Sequence, residues 1–106
     1  MNSITLSGNS LKGTIPVEIV STTYIKYLYL QDNQIGGTLP NFNGTHIIKT
    51  INVSNNKISG TIPPELVKLV DDFEARNNQL TGALPRHPSR VLFFLSGNNL
   101  NGTIPY

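Results

Sequence analysis

The stretch Ile4-Thr5-Leu6-Ser7-Gly8-Asn9-Ser10-Leu11-Lys12-Gly13-Thr14-Ile15-Pro16 decides the fold, because its pattern returns four more times along the chain. With the asparagine as reference, one column holds Asn9, Asn33, Asn56, Asn78 and Asn98. Four residues on stand Gly13, Gly37, Gly60, Gly82 and Gly102, and three further on Pro16, Pro40, Pro63, Pro85 and Pro105. The four apolar columns beside them take only Ile, Leu, Val, Phe or Ala. Successive asparagines are 24, 23, 22 and 20 positions apart. Units of this length cannot bury an apolar face alone, so neighbours stack and share a strip of core.

Each column has a physical task. The alternation in Ile4-Thr5-Leu6, Leu28-Tyr29-Leu30, Ile51-Asn52-Val53, Phe73-Glu74-Ala75 and Phe93-Phe94-Leu95 is that of strands buried on one face. Stacked at about 4.8 Å per coil, these strands form a parallel sheet along one wall. The turn leaving each strand points inward, where its backbone groups lack partners. The asparagine amide offers two donors and an acceptor to that turn and to the adjacent coil, so the Asn column is expected to be buried and hydrogen-bonded. Leu11, Ile35, Ile58, Leu80 and Leu100 then re-enter the core, and the Ile/Leu-Pro pair sets an extended segment. On the back, Val17–Val20 and Pro64–Leu69 suggest short helical turns, whereas Asn41–Gly44 and Arg86–Arg90 suggest irregular arcs.

Composition narrows the function. Charged residues make up only 13% of the chain, so its polar surface is built from Asn, Ser, Thr and Gln. Eight basic and six acidic residues are scattered without a Lys/Arg run, which argues against nucleic acid as a partner. No cysteine is present for disulfides or thiolate metal sites, and no cofactor is expected. The longest apolar run, Val91–Leu95, is far short of the roughly 20 residues that span a bilayer. Nor does the N-terminus read as an export signal, since the first repeat begins almost at Met1. His46 and His87 stand apart in back-side arcs with no evident nucleophile or carboxylate partner, and the glycines follow the repeat rather than a nucleotide-binding pattern. Neither catalysis nor a metal site is expected; Asp71, Asp72 and Glu74 read as a charged patch with Arg76 neutralising Glu74.

The extension seen as Gly13-Thr14-Ile15-Pro16, Gly60-Thr61-Ile62-Pro63 and Gly102-Thr103-Ile104-Pro105 resembles the plant-type leucine-rich repeat. The chain is similar to ectodomains of plant receptor-like kinases, receptor-like proteins and polygalacturonase inhibitors. The resemblance implies an α/β solenoid, a right-handed coil with a parallel sheet on its concave wall and loops and short helical turns behind. It also implies an extracellular or cell-surface location and recognition of a peptide, protein or cell-wall saccharide. Residues 1–106 are expected to form one domain of five repeats, the fifth incomplete. Family ectodomains usually carry a cysteine-paired cap and more repeats, and the sequence shows neither. End-to-end self-association through uncapped termini is the expected consequence.

A partner would sit where the consensus leaves letters free. The outward strand positions Tyr27, Tyr29, Gln31, Asp32, Asn52, Ser54, Glu74, Arg76 and Phe94 combine aromatics with charge, as interface hot spots do. Asn43, Asn52 and Asn101 begin glycosylation sequons. A different class of reading rests on Thr14, Thr38, Thr61 and Thr103, which would stack as a regular array of the kind used by ice-binding proteins.

Overall fold

The computed structural model describes residues 3–15, 25–39, 48–82 and 92–100, with backbone alone for Glu65, Val67, Lys68 and Leu92. Among them are β1 (Ser3–Thr5), β2 (Lys12–Gly13), β3 (Tyr27–Tyr29), β4 (Gln34–Ile35), β5 (Thr50–Asn52) and β6 (Ser59–Gly60). There follow α1 (Pro64–Leu69), β7 (Asp72–Glu74), β8 (Gln79–Gly82), β9 (Leu92–Phe94) and β10 (Asn99–Leu100). Asn43, Asn101, Thr103, both histidines and the back arcs at 17–20, 41–44 and 86–90 lie outside the described residues.

One strand per coil builds a five-stranded parallel sheet in the order β1-β3-β5-β7-β9. Its register follows the sequence columns, pairing Ile4 with Leu28, Leu28 with Ile51, Ile51 with Phe73 and Phe73 with Phe93. Pairing continues past the strands: Leu30, Val53 and Ala75 donate their N–H to the carbonyls of Asn52, Glu74 and Phe94 on the next coil. The inward side chains are the core. Leu28, Ile51, Phe73, Val53, Ala75, Ile58 and Leu80 are fully buried, and each large one contributes about 1.5–3 kcal/mol by leaving water. Ile25, Ile48 and Val70 form a further buried column three residues before the strand centre, which period-2 alternation does not pick out.

Helix α1 starts as its sequence predicts. Pro64 stands in the first turn, where its missing N–H matters least, and the preceding Pro63 is extended at φ −65° and ψ 132°. Leu66 anchors the helix in the core at 0% exposure.

A second set of strands was not legible from the columns. On the flank, β2 pairs with β4, and β6, β8 and β10 form a three-stranded parallel sheet, with a Thr38–Ser59 bridge between the two groups. Here Lys12 pairs with Gln34 and Ser59 with Gln79, each two positions short of the repeat column. A stagger of two preserves which face each side chain occupies, so the flank slides without turning its core residues outward.

The Asn column behaves as its chemistry requires on the three inner coils, while its two ends depart from the expected burial: Asn98 is hydrogen-bonded but half-buried, and Asn9 is exposed. Asn33, Asn56 and Asn78 are each 8% exposed. Each Nδ2 donates to carbonyls of its own turn and of the preceding coil, as Asn56 does to Val53 O, Ser54 O and Leu30 O. Each Oδ1 accepts from the preceding coil: Asn33 from the N–H of Leu11, Asn56 from that of Ile35 and Asn78 from that of Ile58. The Asn9 side chain, expected to be buried, is exposed and among the described residues donates only to Ser7 O, while its backbone N–H donates to Asn33 Oδ1. The side chain reaches toward the preceding coil, and on that side of Asn9 no described coil lies.

Candidate functional site

The wall presents its outward columns side by side. Thr5, Tyr29, Asn52, Glu74 and Phe94 are successive partners across the sheet, as are Ser3, Tyr27, Thr50, Asp72 and Leu92. Tyr27 is 40% exposed, and Tyr29, Asn52, Glu74 and Phe94 are half-buried. The predicted residues therefore share one face, with aromatics on the second and fifth coils and short polar side chains between them.

Charge gathers on the fourth coil. The Arg76 guanidinium lies 4.5 Å from the centroid of the Phe94 ring and 4.0 Å from the Glu74 carboxylate. The predicted neutralisation of Glu74 is thus a loose pairing shared with an aromatic face. Burial pushes the Asp72 carboxyl above its ordinary range, and the positive charge of Arg76 opposes that shift. Two acceptor oxygens on the wall, Gln31 Oε1 and Asp72 Oδ1, are closed to solvent and have no hydrogen-bond partner among the described residues.

Ser54 departs from its expected role. It is 8% exposed, and its hydroxyl accepts from the Arg76 N–H at 3.0 Å. In its column Ser54 stands between the longer Gln31 and Arg76, so the short side chain sinks beneath the surface that they form. Asn52 uses its Oδ1 to accept from the Ser54 N–H, tightening the exit from β5.

Just ahead of the Asn column runs a row that sequence reasoning treated only as surface. Asp32, Asn55 and Asn77 all take left-handed conformations, with φ of 61°, 60° and 57°. Asn55 donates to Asp32 Oδ1 and Asn77 to Asn55 Oδ1, both at 2.7 Å. Gly8 and Gly97 occupy the same column on the outer coils, also at positive φ. The signal was present: the column contains only Gly, Asp and Asn, the residues that tolerate this conformation. Asp32 is therefore tied into the lip of the wall rather than standing free on it.

The threonines of the flank have a packing role. A Cβ placed on Gly60 would lie 2.9 Å from Thr38 Cγ2, and one on Gly82 equally close to Thr61 Cγ2. Each threonine methyl thus covers the glycine of the next coil, while Thr14, Thr38 and Thr61 remain exposed overall. Among the described residues no three His, Cys, Asp or Glu side chains converge as a metal site, and no helix is long and apolar enough to cross a membrane.

A family model described as Leucine Rich Repeat matches residues 24–45 and 48–69. Among solved structures, the Arabidopsis receptor kinase HAESA, in complex with the peptide hormone IDA and the co-receptor SERK1, superposes with a TM-score of 0.87 at 28% identity. The plant peptide hormone receptor RGFR1, in complex with RGF2, gives 0.88 at 28%. The ectodomain of the receptor kinase SOBIR1 from Arabidopsis thaliana gives 0.79 at 31%. These matches cover 99%, 99% and 95% of this chain, but 19%, 18% and 60% of the respective receptor chains. The chain spans about a fifth of the first two. No curated protein matches it.

Proposed function

Because the chain is a plant-type leucine-rich-repeat domain, we propose that it is a non-catalytic recognition module that takes an extended peptide across its concave wall. The observation that carries this reading is the outward column Tyr29–Asn52–Glu74–Phe94, in register on adjacent strands. Two aromatic rings three coils apart, roughly 14 Å, bracket a floor of shorter polar side chains. Aromatics flanking polar groups have the composition of interface hot spots. Receptors of similar structure solved with peptide hormones support a peptide as the ligand class and the outside of the plant cell as the setting.

The test compares wall with flank. The folded chain, a Tyr29→Ala/Phe94→Ala variant and a Gln79→Ala control are immobilised and exposed to the peptide fraction of plant extracellular fluid, and retained peptides are identified by mass spectrometry. Wild type and Gln79→Ala are expected to retain the same peptides, and the wall variant to lose them. Retention unchanged by the wall substitutions would remove the wall as the binding surface.

A further inference from the structure

The charges described on the wall divide unevenly. Lys26 and Lys49 stand just ahead of β3 and β5, in the rim column that continues to Asp71, whose N–H donates to Lys49 O. On the face itself, among the described residues, Asp72 and Glu74 are met by Arg76 alone. The face between the two aromatic coils is therefore net negative.

Arg76 itself shows what that face accepts. Its guanidinium occupies a notch with the Phe94 ring on one side at 4.5 Å and the Glu74 carboxylate on the other at 4.0 Å. The side chain of Arg76 is 45% exposed and that of Glu74 25%, so both contacts are solvent-screened and weak. An arginine held this loosely can swing away, since its long side chain has free rotors and its hydrogen bonds are made by its backbone, the N–H to Ser54 Oγ and the carbonyl from the Asn55 N–H and Asn78 Nδ2. Nearby, Asp72 Oδ1 has no donor among the described residues.

The spacing sets the rest of the partner. From Tyr29 to Glu74 is two coil steps, about 10 Å, which equals about three residues of extended chain. Resting on the peptide-binding reading above, we propose that the partner carries an Arg or Lys about three residues from an aromatic or aliphatic anchor. The anchor packs on Tyr29, and the cation enters the notch between Glu74 and Phe94. Arg76 is then an internal surrogate of the partner's cation and is displaced on binding.

This assignment gives two neighbouring substitutions opposite signs. Random peptides displayed on phage are selected on the intact chain, and one recovered peptide is synthesised and titrated against variants whose fold is checked by circular dichroism. The recovered sequences are expected to share Arg or Lys about three positions from an apolar residue. The synthetic peptide should bind Glu74→Gln about tenfold more weakly. It should bind Arg76→Ala and Arg76→Gln several-fold more tightly, because the competitor is gone. Acidic or uncharged consensus peptides, or weaker binding by both Arg76 variants, would overturn the cation assignment while leaving peptide binding on the wall intact. Binding that ignores Tyr29→Ala, or recovery of no peptide at all, would overturn the wall reading and this inference together.

Discussion

Replacing Asn56 with alanine removes one side chain and four hydrogen bonds, yet the loss falls chiefly on one atom. Asn56 Nδ2 donates to Leu30 O at 2.9 Å, Val53 O at 3.0 Å and Ser54 O at 3.2 Å. Each of these carbonyls keeps a second donor: Asn33 Nδ2 for Leu30, Asn78 Nδ2 for Val53 and the Asp32 N–H for Ser54. The N–H of Ile35, which Asn56 Oδ1 accepts at 3.0 Å, belongs to a residue 4% exposed and is left without that acceptor. An orphaned buried N–H costs about 1–3 kcal/mol, and weakening three doubly bonded carbonyls adds roughly 1 kcal/mol more, so a total of about 3 kcal/mol follows. That is a large fraction of the roughly 5–15 kcal/mol typical of a domain. Asn9→Ala, by contrast, deletes one exposed bond to Ser7 O and should cost less than about 0.5 kcal/mol. Urea unfolding followed by far-ultraviolet circular dichroism, with slopes held equal, reads both. If the two variants unfold within about 0.5 kcal/mol of each other, the account of the Asn column as a stack of coil-to-coil bonds is wrong.

Three further outcomes follow from particular contacts. Gly60→Ala should destabilise by about 1–3 kcal/mol, because φ is +84° and the new Cβ would meet Thr38 Cγ2; adding Thr38→Ser should recover the steric part and leave the backbone part, which a double-mutant cycle in urea separates. Burial raises the folded-state pKa of Asp72 above the unfolded value near about 3.9, so the folded state binds more protons in the window above that value and stability falls as pH rises through it. Asp72→Asn should abolish that fall and be at least as stable as wild type at neutral pH, with the difference shrinking toward acid in denaturation series at stepped pH. Phe73→Ala should cost about 3–5 kcal/mol, since Phe73 is fully buried and meets Phe93 edge-to-face at 6.2 Å; equilibrium unfolding measures it, and a loss under about 1 kcal/mol would contradict the shared core strip.

The wall was legible because both of its determinants are local and periodic. Alternation placed Tyr29, Asn52, Glu74 and Phe94 outward, and constant spacing placed them in one column, as the strand register confirms. Other features depend on quantities that no column contains. Ser54 is buried by the length of its neighbours, and Arg76 is shared between Glu74 and Phe94 by where its flexible side chain comes to rest. The left-handed row at Asp32, Asn55 and Asn77 stands between these cases: its composition announced the backbone conformation, but the side-chain bonds needed the coils to be stacked.

The sequence by itself determined the coil: Asn, Gly, Pro and the apolar columns impose backbone geometry and burial at fixed positions, and such constraints act within one repeat or between identical neighbours. The tertiary structure alone decided the two-residue stagger of the flank sheet, the packing of threonine methyls over the next glycine and the notch that Arg76 fills. These arise between coils that differ in length and in side chain, where the offset and the final rotamer are set by packing several neighbours at once.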